Sequence, residues 1–193
     1  MTRHWTDALV ALDACSDAVE WARGYATLDA AWAACDRGDW LLWYVGRISG
    51  PSESVSRRRV VMAACACAHT ALHLVPSGEY RPRVAIETAE RWARGDASCS
   101  LDDVRAAAWD AAWAAAGDAG DAAGAAAWAA AWGVGDAGDA AGAAAWAAWA
   151  AAGDAGDAAG AAAWAAARDA ALLRCAEIVR EHYPTPPNME VVI

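Results

Sequence analysis

Cysteine and histidine come closest together at Cys65-Ala-Cys67-Ala-His69, with His73 four residues further on. These are metal-ligand types, and Cys65, His69 and His73 fall one turn apart on a single helical stripe. Cys67 points to the other side of such a helix. A four-ligand zinc site also needs a second ligand pair, and the chain has no CxxC and no matching histidine pair. Packing is therefore preferred over metal binding for this cluster. Three aspartate pairs, Asp118/Asp121, Asp136/Asp139 and Asp154/Asp157, put two carboxylates one helical turn apart. Calcium loops use more oxygen ligands at a different spacing, so capping or a solvated acidic face accounts for them better. Paired carboxylates also serve acid–base catalysis, but no nucleophile or substrate anchor can be placed beside them. GDAGDAAG follows no strand and its carboxylates repel phosphate, and no GxSxG elbow occurs. A binding protein without catalysis, cofactor or metal is expected.

Composition narrows the partner. Roughly a third of the 193 residues are alanine, 13 are tryptophan and none is phenylalanine. Alanine hides little surface, so burial energy is expected to come mostly from the indoles, at about 150–250 Å² each. All 15 positive charges are arginine, the net charge is −10, and every charged residue between Arg105 and Arg168 is aspartate. Nucleic acid binding needs a positive stripe, so it is disfavoured. Arg57-Arg58-Arg59, the one basic cluster in the sequence, reads as a solvated helix start rather than a phosphate site. The six cysteines are scattered and MTRHWTDALV lacks a secretory apolar core, which points to reduced thiols in a cytoplasmic setting, with disulfides the lesser alternative. Val60 to Val75 is interrupted by His69, Thr70 and His73 and is shorter than the about 20 residues that span a bilayer, so no membrane segment is expected.

Helices must position all of these groups, since no period-2 strand appears. The spacing predicts a first helix from Asp7 to Arg23 stopped by Gly24, and a second from Leu28 to Cys35. Asp39 can cap a third, Trp40 to Ile48, whose WLLWYV run suits the centre of a core. SGPSES is a loop, and a fourth helix, itself a core helix, runs from Val55 to Val75. A fifth, Pro82 to Arg94, is closed by Gly95 and carries the i,i+4 pairs Arg83–Glu87, Glu87–Arg91 and Glu90–Arg94, with Val84, Ile86, Ala89 and Trp92 turned inward. Ser100 and Asp103 resemble a capping box that opens the next segment.

That segment is a repeat. GDAGDAAGAAAWAA recurs at 117–130, 135–148 and 153–166, a spacing of 18 residues, or about five helical turns. Its glycines, aspartates and tryptophans hold one stripe in front of an alanine face. Ten glycines from Gly117 to Gly160 oppose helix at about 1 kcal/mol each, against about 2–3 kcal/mol for each buried indole. Two layouts fit: one long helix bent at the glycines, or antiparallel helices with GDAG and GVGDAG as turns. The folded-back form covers the tryptophans within one chain and is the one expected. The architecture is thus all-α: an N-terminal helical bundle (1–98), an Ala/Trp helical repeat packed on it (99–182) and a tail (183–193).

Two motifs and their order carry a resemblance. Trp32-Ala-Ala-Cys35-Asp-Arg-Gly-Asp-Trp40-Leu-Leu-Trp43, then Tyr80-Arg81-Pro82-Arg83-Val-Ala-Ile86-Glu87-Thr-Ala-Glu90-Arg-Trp92-Ala-Arg-Gly95, then the Ala/Trp tract, resemble the all-α immunity proteins of bacterial polymorphic toxin systems, which phages also encode. The similarity runs from about Cys15 to Arg180. The repeat departs from the commoner pattern by placing Gly-Asp where Arg-Asp is usual. The resemblance implies a non-catalytic protein that neutralises a cognate toxin by binding it. Trp40, Trp43, Arg81, Arg83 and Glu87 are the motif residues expected to bear partner contact. An acidic inhibitor suits a cationic target. The alternative is a structural protein whose repeat stripe zips to a second copy, and an enzyme is the remote third reading.

Overall fold

The computed structural model describes residues 4–75, 77–117 and 161–189, and these form eight α-helices and no strand. The aspartate pairs and the two layouts of the repeat lie outside the described residues.

The first expected helix is two. α1 (Thr6–Ala11) ends at Asp13, which takes φ 63°, and α2 (Ser16–Ala22) begins two residues after Ala14. The Ala14 N–H reaches the Leu9 carbonyl and the Asp13 N–H the Val10 carbonyl, both at 3.0 Å, which is the Schellman arrangement with aspartate in the usual glycine position. Arg47, 35 residues away in sequence, donates from Nε to the Leu12 carbonyl at 3.1 Å and holds the corner. Side-chain periodicity continues through this break, which is why spacing alone reads one helix.

α3 (Leu28–Ala34) is capped by Thr27, whose hydroxyl accepts the Ala30 N–H. α4 (Gly38–Ile48) starts two residues earlier than an Asp39 cap would allow. Asp39 lies inside its first turn and pairs with Arg37 instead of capping. α5 (Val55–His69) is capped by Ser54 and stops short of the expected Val75. There Thr70 donates its hydroxyl to the Cys67 carbonyl at 2.6 Å, and i,i+3 bonds lead into a 3₁₀ turn at Leu72–Leu74.

α6 (Arg81–Ala93) closes on Gly95 at φ 82°, by the same two-bond motif as α1 but with the residue that fits it without strain. Of its three expected ion pairs only Glu90–Arg94 forms, and Arg91 turns to Asp96. Ile86, Ala89 and Trp92 are buried, whereas Val84 is about half exposed, contrary to the expected inward face. α7 (Leu101–Gly117) opens with a complete capping box: the Ser100 N–H donates to Asp103 and the Asp103 N–H to the Ser100 hydroxyl. α8 (Ala161–His182) begins within the last copy of the repeat, and α7 ends at Gly117, the first residue of the first copy.

α5 is the central element. Its Ala63, Ala64, Cys65, Cys67 and Ala68 are buried and small, which lets α4, α6 and α8 all approach it. α8 lies against both α4 and α5, and α7 lies on α6. The largest fully buried side chains are Leu42, Ile86, Val45, Val60, Val61, Val104 and Val179. Among the described residues the deep core is thus branched aliphatics closed over alanine. Of the indoles whose burial is described, Trp32 and Trp92 alone are buried outright, while most of the repeat tryptophans on which the expected indole burial rests lie outside the described residues.

The arginine cluster is a solvated helix start only at Arg59, which is exposed. Arg57 is buried with its Nε on the Gly50 carbonyl, and Arg58 lies over the Trp92 ring. Arg59 stacks on Tyr183 at 4.4 Å and donates to the His182 carbonyl, placing a cation at the C-terminal end of α8.

Three helix-boundary carboxylates titrate low. Hydrogen bonds from Arg81 hold Glu79 down to about 2, those from Ser98 hold Asp96 down to about 2, and the Ser100 N–H lowers Asp103. Because the folded values lie below the unfolded ones, this contribution is whole above the ordinary carboxylate range near about pH 4 and is lost as pH falls toward 2. Melting temperature should drop through that window, and Glu79→Gln with Asp96→Asn should flatten the drop. An unchanged acid profile in the double variant would contradict the assignment.

Candidate functional site: an indole-lined cleft

The four short N-terminal helices leave a cleft of about 420 Å³ between them. Each contributes indole or apolar surface: Trp5 at the start of α1, Trp21 from α2, Trp32 from α3, and Trp40 and Trp43 from α4. Short helices are poor at burying large rings completely, since each offers barely two turns of cover. Trp32 is the exception. It is 3% exposed, its indole N–H donates to the Tyr183 carbonyl at 3.1 Å, and it meets Tyr44 edge-on at 6.0 Å.

The other four indoles are only partly buried. Trp5 is fixed by its N–H on the Tyr25 carbonyl at 2.9 Å. Trp21 lies between Tyr25 at 4.7 Å and Trp40 at 5.7 Å, tilted against both. Arg37 sits 4.3 Å above the Trp40 ring while its Nε and Nη2 reach the two carboxylate oxygens of Asp39 at 2.9 and 2.6 Å. That fork with Asp39 raises the arginine's pKa further. Asp13 lines the mouth with its side chain 90% exposed, touching Arg47 only at 3.5 Å.

The Cys35 thiol is pushed up to about 11 by burial, so it is protonated at neutral pH, and burial raises the Tyr44 phenol too while its hydroxyl donates to the Pro187 carbonyl. Asp39 is committed to Arg37. Among the described residues no group of three His, Cys, Asp or Glu side chains is arranged to hold a metal ion. Cys65 is buried in the core with its thiol toward the Ile86 carbonyl, whereas His69 is exposed and contacts Glu90 at 2.9 Å. His73 donates from Nδ1 to the Thr70 carbonyl.

The motif residues separate. Trp40 and Trp43 line the cleft, whereas Arg81, Arg83 and Glu87 lie exposed on α6 and take no part in its lining. Arg81 is held by Glu79, with Nε at 2.9 and 3.1 Å from the two carboxylate oxygens. Sequence reasoning missed Trp5, Trp21, Arg37 and Asp13 as site residues. A signal existed in five tryptophans within the first 43 residues, on segments too short to enclose them all. All six cysteines are free thiols, five of them buried. No helix among the described residues is long and apolar enough to cross a membrane. Comparison with protein-family models, curated proteins and solved structures finds no match, so the resemblance to immunity proteins stands on its motifs alone.

Proposed function

We propose that this chain is a non-catalytic immunity-type protein of the cytoplasm, which binds a cationic bacterial toxin and occludes it. The observation that carries this reading is the gathering of four half-buried indoles around one cleft. Tryptophan and arginine are among the residues that most often anchor protein interfaces, where they fill desolvated pockets with large contact area. The net charge of −10 adds long-range attraction for a basic partner and repulsion for nucleic acid or anionic membrane. The finer architecture belongs to the same proposal: the tract between α7 and α8 folds back as antiparallel helices at its 18-residue period, each indole seated against glycine.

Co-expression with a cationic effector recovered by pull-down from the native host tests this. Growth should be restored, a 1:1 complex should appear by light scattering, and its association rate should fall at least tenfold between low and physiological salt. Absence of a complex, or an association rate indifferent to salt, removes the reading. The same scattering measurement on the chain alone reports self-assembly: a dimer that forms through the repeat would replace toxin binding with a structural role.

A further inference from the structure

We propose that the cleft receives an arginine side chain of the partner, the guanidinium lying against indole faces with Asp13 as its carboxylate at the rim; this rests on the binding reading above. Three observations carry it. The walls include indole rings from α2, from α4 and from the residue just before α1, Trp21, Trp40 with Trp43, and Trp5, and the face of an indole carries the negative side of the aromatic quadrupole. The cleft already contains one example of the recognition it is built for. Arg37 lies 4.3 Å over Trp40 with its fork closed on Asp39 at 2.9 and 2.6 Å, a planar cation sandwiched between a π face and a carboxylate. At the mouth the components for a second such pair stand ready: Asp13 is 90% exposed with one long contact to Arg47.

Charge decides among occupants. An anion would meet Asp13 and Asp39, with the only lining cation, Arg37, already paired. An aliphatic side chain would use the indole walls but nothing at the rim. A guanidinium uses both, and it is drawn from a distance by a chain of net charge −10. The Schellman corner, with Asp13 at φ 63°, leaves that carboxylate exposed at the rim.

The test uses the full chain and two short capped peptides, identical except that one carries a single arginine and the other citrulline, its neutral isostere. Binding is followed by the indole N–H resonances, assigned with single Trp→Phe variants. The arginine peptide should shift the Trp21 and Trp40 signals saturably and bind about three- to tenfold more tightly than its citrulline twin. Asp13→Asn should remove most of that difference, and Trp40→Phe should weaken arginine binding without altering the far-ultraviolet circular dichroism. Equal affinity for the twins, or shifts confined to indoles outside the cleft, overturns the assignment. If the twins bind alike while the effector still forms its 1:1 complex, the arginine proposal falls and toxin binding stands; if the effector forms no complex, toxin binding falls whatever the peptides do.

Discussion

Gly38→Ala should destabilise the protein by about 3 kcal/mol or more, the largest effect of any single methyl group among the described residues. A Cβ built at Gly38 would lie 2.4 Å from the Cys175 Cβ, 2.6 Å from the Ala176 nitrogen and 2.7 Å from the Cys175 carbonyl carbon. Two of those three atoms are backbone in the middle of α8, which cannot give way without moving the whole helix. The demand at Gly38 is for space: its φ is not in the left-handed region that glycine alone favours. Urea unfolding measures the loss. Cys175→Gly in the same chain should restore little, because the backbone contacts remain and a glycine within α8 costs about 1 kcal/mol of its own. A Gly38→Ala protein within 1 kcal/mol of the parent would show that α4 and α8 are not seated as closely as described.

Trp32→Ala should cost about 3–5 kcal/mol, the range for emptying a buried aromatic site. Trp32 is 3% exposed, and its neighbourhood is tied together by polar bonds as well as packing. Its N–H satisfies the Tyr183 carbonyl, and Arg180 donates to the Trp32 carbonyl at 3.3 Å and to that of Cys35 at 2.6 Å. Truncation leaves a cavity behind the cleft wall and an orphaned carbonyl at the end of α8. Trp32→Phe separates the two causes, since it keeps most of the ring and forfeits the hydrogen bond. About 1–2 kcal/mol is expected from it by the same urea measurement. If the alanine variant unfolds at the parent's midpoint, the wall of the cleft is not held from α8.

Local chemistry was legible where one residue decides the outcome. Gly95 ends α6 where the sequence places it, and Ser100 with Asp103 opens α7 as a capping box. The break at Asp13 was not legible, because an aspartate carries a turn that glycine ordinarily marks and its support comes from Arg47, 34 residues downstream. The fate of Arg57, Arg58 and Arg59 was hidden for the same reason: their partners, Gly50, Trp92 and Tyr183, come from three other parts of the chain. Half of the candidate site was within reach, since Trp40 and Trp43 belong to a motif. Trp5 and Trp21 do not, and only the packing of four helices brings them beside the first two. The C-terminal indoles recur at a fixed period, whereas the rings that line the cleft share none.

The seat of α8 between α4 and α5 has a consequence for biosynthesis. Trp32 and Tyr183 are joined across 151 residues, and Cys67 reaches the Cys175 carbonyl across 108. During translation the early helices emerge long before the segment that completes their core, at about 5–20 residues per second. A nascent chain therefore waits with apolar surface uncovered until its last helix leaves the ribosome. A chain interrupted inside the repeat has the aromatic cavity's residues but not the strut behind them, so a fragment that stalls there is poor in recognition and ready for proteolysis.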